Sequence, residues 1–252
     1  MMDAKQIAQR FQQAHHSYAT HAVVQKQVAQ QLMQTMAHLI QVPHLPRVLE
    51  IGCGTGLFSQ LFLQHYSVDH LFLNDLYDDV KQNFEADERL LWGIGNIEQM
   101  ALPQNLDAVL SCSVLQWIQD LDALIQKVAQ ALKPHGYFCF ASYTEHNLKE
   151  IKVLTGQGLT YLSQDELNQR LIAAGFDVCF IEDVQQQLMF ESPRAVLKHL
   201  KATGVQATAH GFRWSKASLK AFEVGYQHFQ DAETGQYVLT YHPIFIIARK
   251  KR

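Results

Sequence analysis

The stretch LEIGCGTG, residues 49–56, decides the fold. It follows the proline-bounded segment VPHLPR (42–47) and closes the apolar run RVLEI (47–51), which reads as a buried strand. Gly52, Gly54 and Gly56 then alternate with small residues. Glycine takes positive φ without penalty and lets another molecule touch the main chain. The next segment, LFSQLFLQHY (57–66), has helical spacing, and a helix N-terminus offers unpaired N–H groups. A strand, a glycine turn and a helix in that order form a cradle for a ligand. The nicotinamide fingerprint is G-x-G-x-x-G, whereas this turn is G-x-G-x-G. Leu57 stands where the third fingerprint glycine would be, which weighs against a dinucleotide.

Working outward, strands and helices alternate. HLFLND (70–75), RLLWGI (89–94), LDAVLSC (106–112), GYFCFASY (136–143), FDVCFIEDV (176–184) and YVLTYHPIFIIARK (237–250) read as strands. Residues 3–15 and 21–40 read as two Gln- and Ala-rich helices, and DALIQKVAQALKP (122–134) as an amphipathic helix stopped by its proline. SQDELNQRLIAAG (163–175) opens with a capping box, Ser163 and Glu166, and ends on glycine. This rhythm predicts an α/β fold: a doubly wound, mostly parallel seven-stranded sheet. Ligands of such sheets bind outside the carboxyl ends of the strands, where the glycine turn falls. Asp75 ends the second strand, 19 residues after Gly56. A carboxylate there can accept both hydroxyls of a ribose; the other reading is a cap on the following helix.

The chain has 252 residues, 48 % of them apolar, enough for one sizeable core. Its net charge of −3 argues against wholesale nucleic-acid binding. The N-terminus is too polar for a secretory signal, and no apolar run approaches a membrane span. Four scattered cysteines form no CxxC pair and fit free thiols in a reducing cytoplasm. The 13 histidines form no HxxxH or HExxH pair, so no metal site is expected.

LEIGCGTG resembles motif I of the class I S-adenosylmethionine-dependent methyltransferases, and NDLYDD (74–79) resembles their acidic ribose loop. GNIEQMALP (95–103) is similar to the loop that holds the adenine, with Asn96 where that family often has Asp. SVLQWIQD (113–120) and ALKPHG (131–136) are similar to later motifs. The resemblance implies that S-adenosylmethionine is the cofactor. Glu50 and the backbone of Gly52, Cys53, Gly54 and Gly56 would hold its methionine part, Asp75 its ribose, and Asn96 and Ile97 its adenine, with Leu76 also against the cofactor. Ser111 completes the implied set.

A narrower resemblance spans most of the chain. RFQQAHHSYATHAVVQKQVAQQLM (10–33), with Phe11, Ala14 and Tyr18, is similar to the N-terminal segment of the malonyl-acyl-carrier-protein O-methyltransferases of biotin synthesis. LKHLKATGVQAT (197–208) and LTYHPIFIIAR (239–249) are similar to that family's lid and final strand. Three regions are implied: N-terminal helices over the cofactor (1–44), a methyltransferase domain (45–189 and 236–252) and a helical lid (190–235). Tyr18 would face the methyl transfer.

The residues support a cap independently. About 50 residues separate the last two strands, too many for a structureless loop. SPRAVLKHLKATG (192–204) and SKASLKAFEVGYQHF (215–229) read as its helices. Residues 192–220 carry Arg194, Lys198, Lys201, Arg213, Lys216 and Lys220 and no acidic residue. Such a run is either a solvated face or a docking surface for an acidic partner. An acyl carrier protein bearing a malonyl group fits the second reading. A malonyl carboxylate, with a pKa near ~4, is already ionised at pH 7 and needs no general base. The enzyme has only to align it, about 3 Å from the methyl. A cation should orient it, with Lys198, Lys201, Arg213 and His242 open. Three alternatives stay open: a methyltransferase on another small acid or ring carbon, a nicotinamide oxidoreductase, and a non-catalytic protein of this fold.

Overall fold

A computed structural model describes residues 22–203 and 214–252. The elements run α1 (Val23–Leu39), β1 (Arg47–Ile51), α2 (Leu57–His65), β2 (His70–Asp75), β3 (Leu90–Ile94), β4 (Leu106–Cys112), α3 (Leu121–Ala131) and β5 (Leu132–Tyr143). They continue with α4 (Lys149–Thr155), α5 (Gln164–Ala173), β6 (Phe176–Asp183), β7 (Gln186–Phe190), α6 (Pro193–Ala202), α7 (Lys216–Gly225), β8 (Tyr237–Tyr241) and β9 (Pro243–Lys250). Short 3-10 turns cover Asp78–Asn83, Leu115–Trp117 and Tyr226–Phe229.

Seven strands form one sheet in the order β3-β2-β1-β4-β5-β9-β6. β1 to β5 run parallel, and β9 lies antiparallel between β5 and β6. This is the doubly wound sheet read from the sequence. A strand covered on both faces must be apolar on both, and β4 and β9 are buried along nearly their whole length. One core face packs α1 and α2 on the sheet through Val28, Leu32, Met36, Phe58 and Phe62. The other packs α3 and α5 through Leu124, Val128, Leu167 and Leu171.

The order of the parallel strands turns back at β1, between β2 and β4. At such a switch point the loops leave in opposite directions and open a crevice. α1 adds a wall to it, since Gln25 and Ala29 line the cleft while Leu32 anchors the same helix in the core.

Several local readings hold. α5 carries the capping box: Ser163 Oγ accepts from Glu166 N, and the Glu166 carboxylate accepts from Ser163 N. α6 has Pro193 in its first turn and Ser192 as its cap. The expected helix at 3–15 lies outside the described residues, as does Gly204.

Other readings change. The single strand expected over 237–250 divides at His242: β8 pairs with β7 in a separate two-stranded sheet, and β9 enters the main one. His242 N donates to the side chain of Asn147, and Pro243 has no N–H, so the ladder cannot pass through. α3 ends at Ala131, before Pro134, because a residue preceding proline disfavours helix. β7 and α4 were not anticipated, since QQLMF and KEIKVLT are too short to show a clear period. No helix among the described residues is long and apolar enough to cross a membrane.

Leu32 is fully buried. Leu32→Ala is expected to lower stability by about 2–5 kcal/mol. Denaturant titration followed by circular dichroism reads this directly, and an unchanged midpoint would mean that α1 is not part of the cooperative core.

Candidate active site

The cleft lies at the carboxyl edge of β1, β2, β3 and β4. Gly52, Gly54 and Gly56 have φ of +76°, +51° and +76°, so the glycine turn is left-handed at alternate positions. Two of the three leave no room for a side chain. A Cβ on Gly52 would stand 2.3 Å from Val114 Cγ2, and one on Gly56 would stand 3.0 Å from the Phe84 ring. A Cβ on Gly54 would meet no protein atom within 4 Å, because that position faces the open cleft. Gly56 does not line the cleft; it is the residue from which α2 starts.

Asp75 holds this turn in place. Its carboxylate accepts from Gly54 N at 2.8 Å and from Leu76 N at 2.7 Å. It does not cap the following 3-10 turn, whose N-cap is Tyr77 and which has no side-chain cap. A carboxylate has about four acceptor sites, so Asp75 keeps capacity toward a ligand. The neighbouring Asn74 carbonyl accepts from both Gly52 N and Cys53 N at 2.9 Å. Asn83 donates to the Gly54 carbonyl from the other side, at 3.0 Å.

Glu50 stands one strand over. It is buried, and its Oε2 accepts from Ser59 Oγ at 2.5 Å. Burial pushes its carboxyl up to about 8, opposed by the Ser59 hydrogen bond and assisted by Asp75. Asp75 is also raised, chiefly by burial. Both acids therefore sit where a positive charge would stabilise them. Burial raises the Cys53 thiol and lifts that of Cys112 to about 12, so neither serves as a nucleophile at neutral pH.

Of the residues read from the sequence, Glu50, Gly52, Cys53, Gly54, Asp75, Leu76, Asn96 and Ile97 all line the cleft. The amide oxygen of Asn96 accepts from Glu98 N at 3.0 Å and shapes its own loop. Ser111 is a correction. It is fully buried, donates to the Ile51 carbonyl at 3.1 Å and does not line the cleft. Side chains alternate along a strand, so Cys112 reaches the cleft instead, as does Ser113, which lies past the end of the strand.

The expected cations are elsewhere. Lys198, Lys201 and His242 do not line the cleft. His242 Nδ1 lies 2.8 Å from Thr144 Oγ1 and 3.4 Å from Asp183, and burial lowers its pKa. Arg194 is paired with Glu223 on α7, three residues beyond the acid-free run. Lys198, Lys201, Lys216 and Lys220 are exposed. Tyr18 and Arg213 lie outside the described residues.

Sequence reasoning missed Gln25. It is buried in the cleft wall, and its Oε1 has no hydrogen-bond partner among the described residues. It lies in a Gln-rich helix where nothing marks one glutamine from the next. Tyr77, Glu98, Ser113 and Trp117 also line the cleft. They fall within the motif-like segments NDLYDD, GNIEQMALP and SVLQWIQD, where nothing local marks these side chains. The described lining holds three acids, Glu50, Asp75 and Glu98, and no Lys, Arg or His.

Comparison with known proteins identifies the family. A family model described as a methyltransferase domain matches residues 6–179. A malonyl-[acyl-carrier protein] O-methyltransferase of Acinetobacter baylyi is 44% identical over 246 residues, covering 97% of this chain and 96% of the relative. A protein of the same name from Calditerrivibrio nitroreducens is 37% identical over 235 residues, covering 93% and 92%. Among solved structures, the N-methyltransferase NodS of Bradyrhizobium japonicum, in complex with S-adenosyl-L-homocysteine, superposes with a TM-score of 0.55. That match covers 89% of this chain and 86% of the other at 14% identity, a likeness of fold. The chain belongs to the methyltransferase-domain family and, within it, to the malonyl-[acyl-carrier protein] O-methyltransferases.

Proposed function

We propose that the chain methylates the free carboxylate of a malonyl group carried by an acyl carrier protein, with S-adenosylmethionine as donor. The observation that carries the reading is the acidic lining around an open glycine turn, which holds no cation among the described residues. The donor is cationic, with a sulfonium and an ammonium group. The buried Glu50 carboxyl, the half-buried Asp75 carboxylate and the unpaired Oε1 of Gln25 suit those charges. The space beside Gly54, which a Cβ would fill, suits a ligand lying against the main chain.

Asp75 would accept the ribose hydroxyls. Leu76, Asn96 and Ile97 would enclose the adenine, and Glu50, Gln25 and the Gly52–Gly56 backbone would hold the amino-acid end. When bound, this group supplies an electrophilic methyl, which an ionised carboxylate oxygen takes as the C–S bond breaks, giving a methyl ester and S-adenosylhomocysteine with no proton released. The protein's part is then to align and to exclude water. No side chain has to move a proton.

The insertion between β6 and β9 supports the carrier part of the reading. On α6, Arg194, Lys198 and Lys201 share one face at helical spacing, and Val196, His199 and Leu200 are buried on the other. Lys216 and Lys220 add a second exposed pair on α7. We assign this region the role of a lid that docks an acidic carrier. The reaction belongs to the cytoplasm, where the free thiols Cys53, Cys112, Cys139 and Cys179 persist. Its product would enter pimelate synthesis for biotin.

Three measurements check the assignment. Asp75→Ala removes acceptors from ligand hydroxyls; a hydrogen bond to a charged group is worth about 1.5–3 kcal/mol, so donor affinity is expected to fall about 10- to 150-fold by calorimetry. An intact affinity in a folded variant would remove Asp75 from the ribose.

The second concerns pH. Glu50, raised to about 8 in the free protein, is largely protonated at pH 7 and must ionise against a cation. Donor affinity is therefore expected to rise nearly tenfold per unit between pH 6 and about 7.5, below the ligand's own amine at ~7.7–8.0. Because the folded state binds this proton more tightly than the unfolded state, Glu50 lowers stability as pH climbs from the ordinary carboxylate range toward about 8. Glu50→Gln is expected to flatten the affinity profile and to stabilise the free protein at neutral pH. A profile unchanged by that substitution would assign the proton to another group.

The third separates a carrier from a small substrate. Attraction between exposed charges is screened over ~8 Å at physiological ionic strength. Rising salt is expected to lower kcat/KM on malonyl carrier protein and to leave that on a short malonyl thioester nearly constant. Lys198→Glu with Lys201→Glu is expected to slow the carrier reaction through its association rate and to spare the short substrate. Equal losses on both would put these lysines at the reacting centre, and no loss on either would make the basic face merely solvated.

A further inference from the structure

We propose that the acceptor carboxylate is held by a neutral hydroxyl, Ser113, with Tyr143 positioning that hydroxyl from beneath. The inference rests on the methyl-transfer reading above and names the group that orients its substrate.

Position comes first. Along the carboxyl edge, the cleft residues run from Asn96 after β3, through Asp75 on β2 and the glycine turn after β1, to Ser113 after β4. With the nucleoside end assigned to the β2 and β3 side, the reacting end of the ligand falls toward β4. Ser113 lines the cleft there, and Tyr143 ends the adjacent strand β5.

Backbone strain marks the same residue. Ser113 has φ of +61°, a left-handed conformation that disfavours any residue with a Cβ. Its neighbours fix it there. Ser113 N donates to the Ala141 carbonyl at 2.9 Å, and Gln116 Nε2 donates to the Ser113 carbonyl at 2.7 Å. Glycine would take this conformation without strain, as it does at Gly52, Gly54 and Gly56. A serine held there at a cost points to use of its side chain.

The hydroxyl is oriented. Ser113 Oγ lies 3.2 Å from Tyr143 Oη. Tyr143 is buried, with its ring edge-on to Tyr161. When Tyr143 donates to Ser113 Oγ, the serine proton is free for another acceptor, and a carboxylate in the cleft would compete for it with the weakly accepting sulfur of Cys112, which the Ser113 side chain also meets. A hydroxyl carries one donor and two acceptor sites, so it fills both roles at once.

Charge explains why a neutral donor suits this reaction. The carboxylate loses its negative charge as the methyl arrives. A nearby cation would stabilise the starting carboxylate more than the transition state and would raise the barrier. A hydroxyl orients the oxygen with less of that penalty. The described cleft lining fits, since it contains no basic side chain.

The test compares Ser113→Gly, Tyr143→Phe and the double variant. Ser113→Gly relieves the strain and removes the hydroxyl. It is expected to raise the Tm, to leave S-adenosylmethionine affinity within about twofold, and to lower kcat about 10- to 100-fold. Calorimetry with a short malonyl thioester and S-adenosylhomocysteine is expected to show the acceptor binding more weakly, with no turnover involved. Tyr143→Phe is expected to lower kcat severalfold, and the double variant to be no slower than Ser113→Gly alone, because Tyr143 acts through the serine. A merely structural serine would give a more stable and fully active Ser113→Gly, and that result overturns the proposal. Additive losses would remove Tyr143 from it. The wild-type protein scores the underlying reading separately: absence of any methyl transfer to malonyl carrier protein would sink both, whereas wild-type transfer with an undiminished Ser113→Gly rate would sink this inference alone.

Discussion

The hydrogen bond from Gly54 N to the Asp75 carboxylate is the constraint on which the site depends. It joins the turn after β1 to the end of β2, the two elements that flank the crevice. A left-handed glycine turn has little intrinsic stiffness, and a buried carboxylate is expensive unless its lone pairs are used. Each answers the other's need. Asp75 receives main-chain donors that offset part of its burial, and the turn receives a fixed acceptor. The Asn74 carbonyl, with two further main-chain bonds to Gly52 and Cys53, makes the joint rigid. Glu50 then stands behind this joint with its proton held by burial.

Much of this was legible in the sequence because it depends on local chemistry. Alternate glycines after an apolar run specify a turn with positive φ, and Asp at the next strand's end specifies an acceptor beside it. The capping box of α5 and the proline start of α6 were equally local. What failed to show depended on registers and distances that no local pattern carries. Ser111 and Ser113 are two residues apart, yet one is buried under β1 and the other faces the cleft, because the chain leaves the strand between them. The break at His242 depends on Asn147, 95 residues away. Gln25 is one glutamine among many until the fold leaves its oxygen unpaired at the cleft wall. The charge of the insertion was legible as a count, but its partial neutralisation by the Arg194–Glu223 pair was not.

The molecule separates two electrostatic tasks that the sequence presents together. The described cleft lining is acidic, which suits a cationic donor, while Lys198, Lys201, Lys216 and Lys220 are exposed on α6 and α7, outside that lining. A cation is useful for drawing in an acidic carrier and unhelpful beside a carboxylate about to be neutralised. On the proposed reading, keeping the two apart would let the same chain attract an acidic carrier and leave the acceptor oxygen reactive. Among the described residues, Lys198, Lys201 and His242 do not line the cleft, and Arg213 lies outside the described residues; only interactions stronger in the transition state than in the ground state accelerate the chemistry.

The central claim is methyl transfer to a carboxylate presented by a carrier protein. Intact-protein mass spectrometry of malonyl carrier protein, incubated with the enzyme and S-adenosylmethionine, tests it most directly. The expected result is the mass of one added methyl on the malonyl-loaded carrier, removable with the thioester arm, and none on an acetyl-loaded carrier that lacks the free carboxylate. A methyl that appears equally on both carriers, or on neither, would contradict the account.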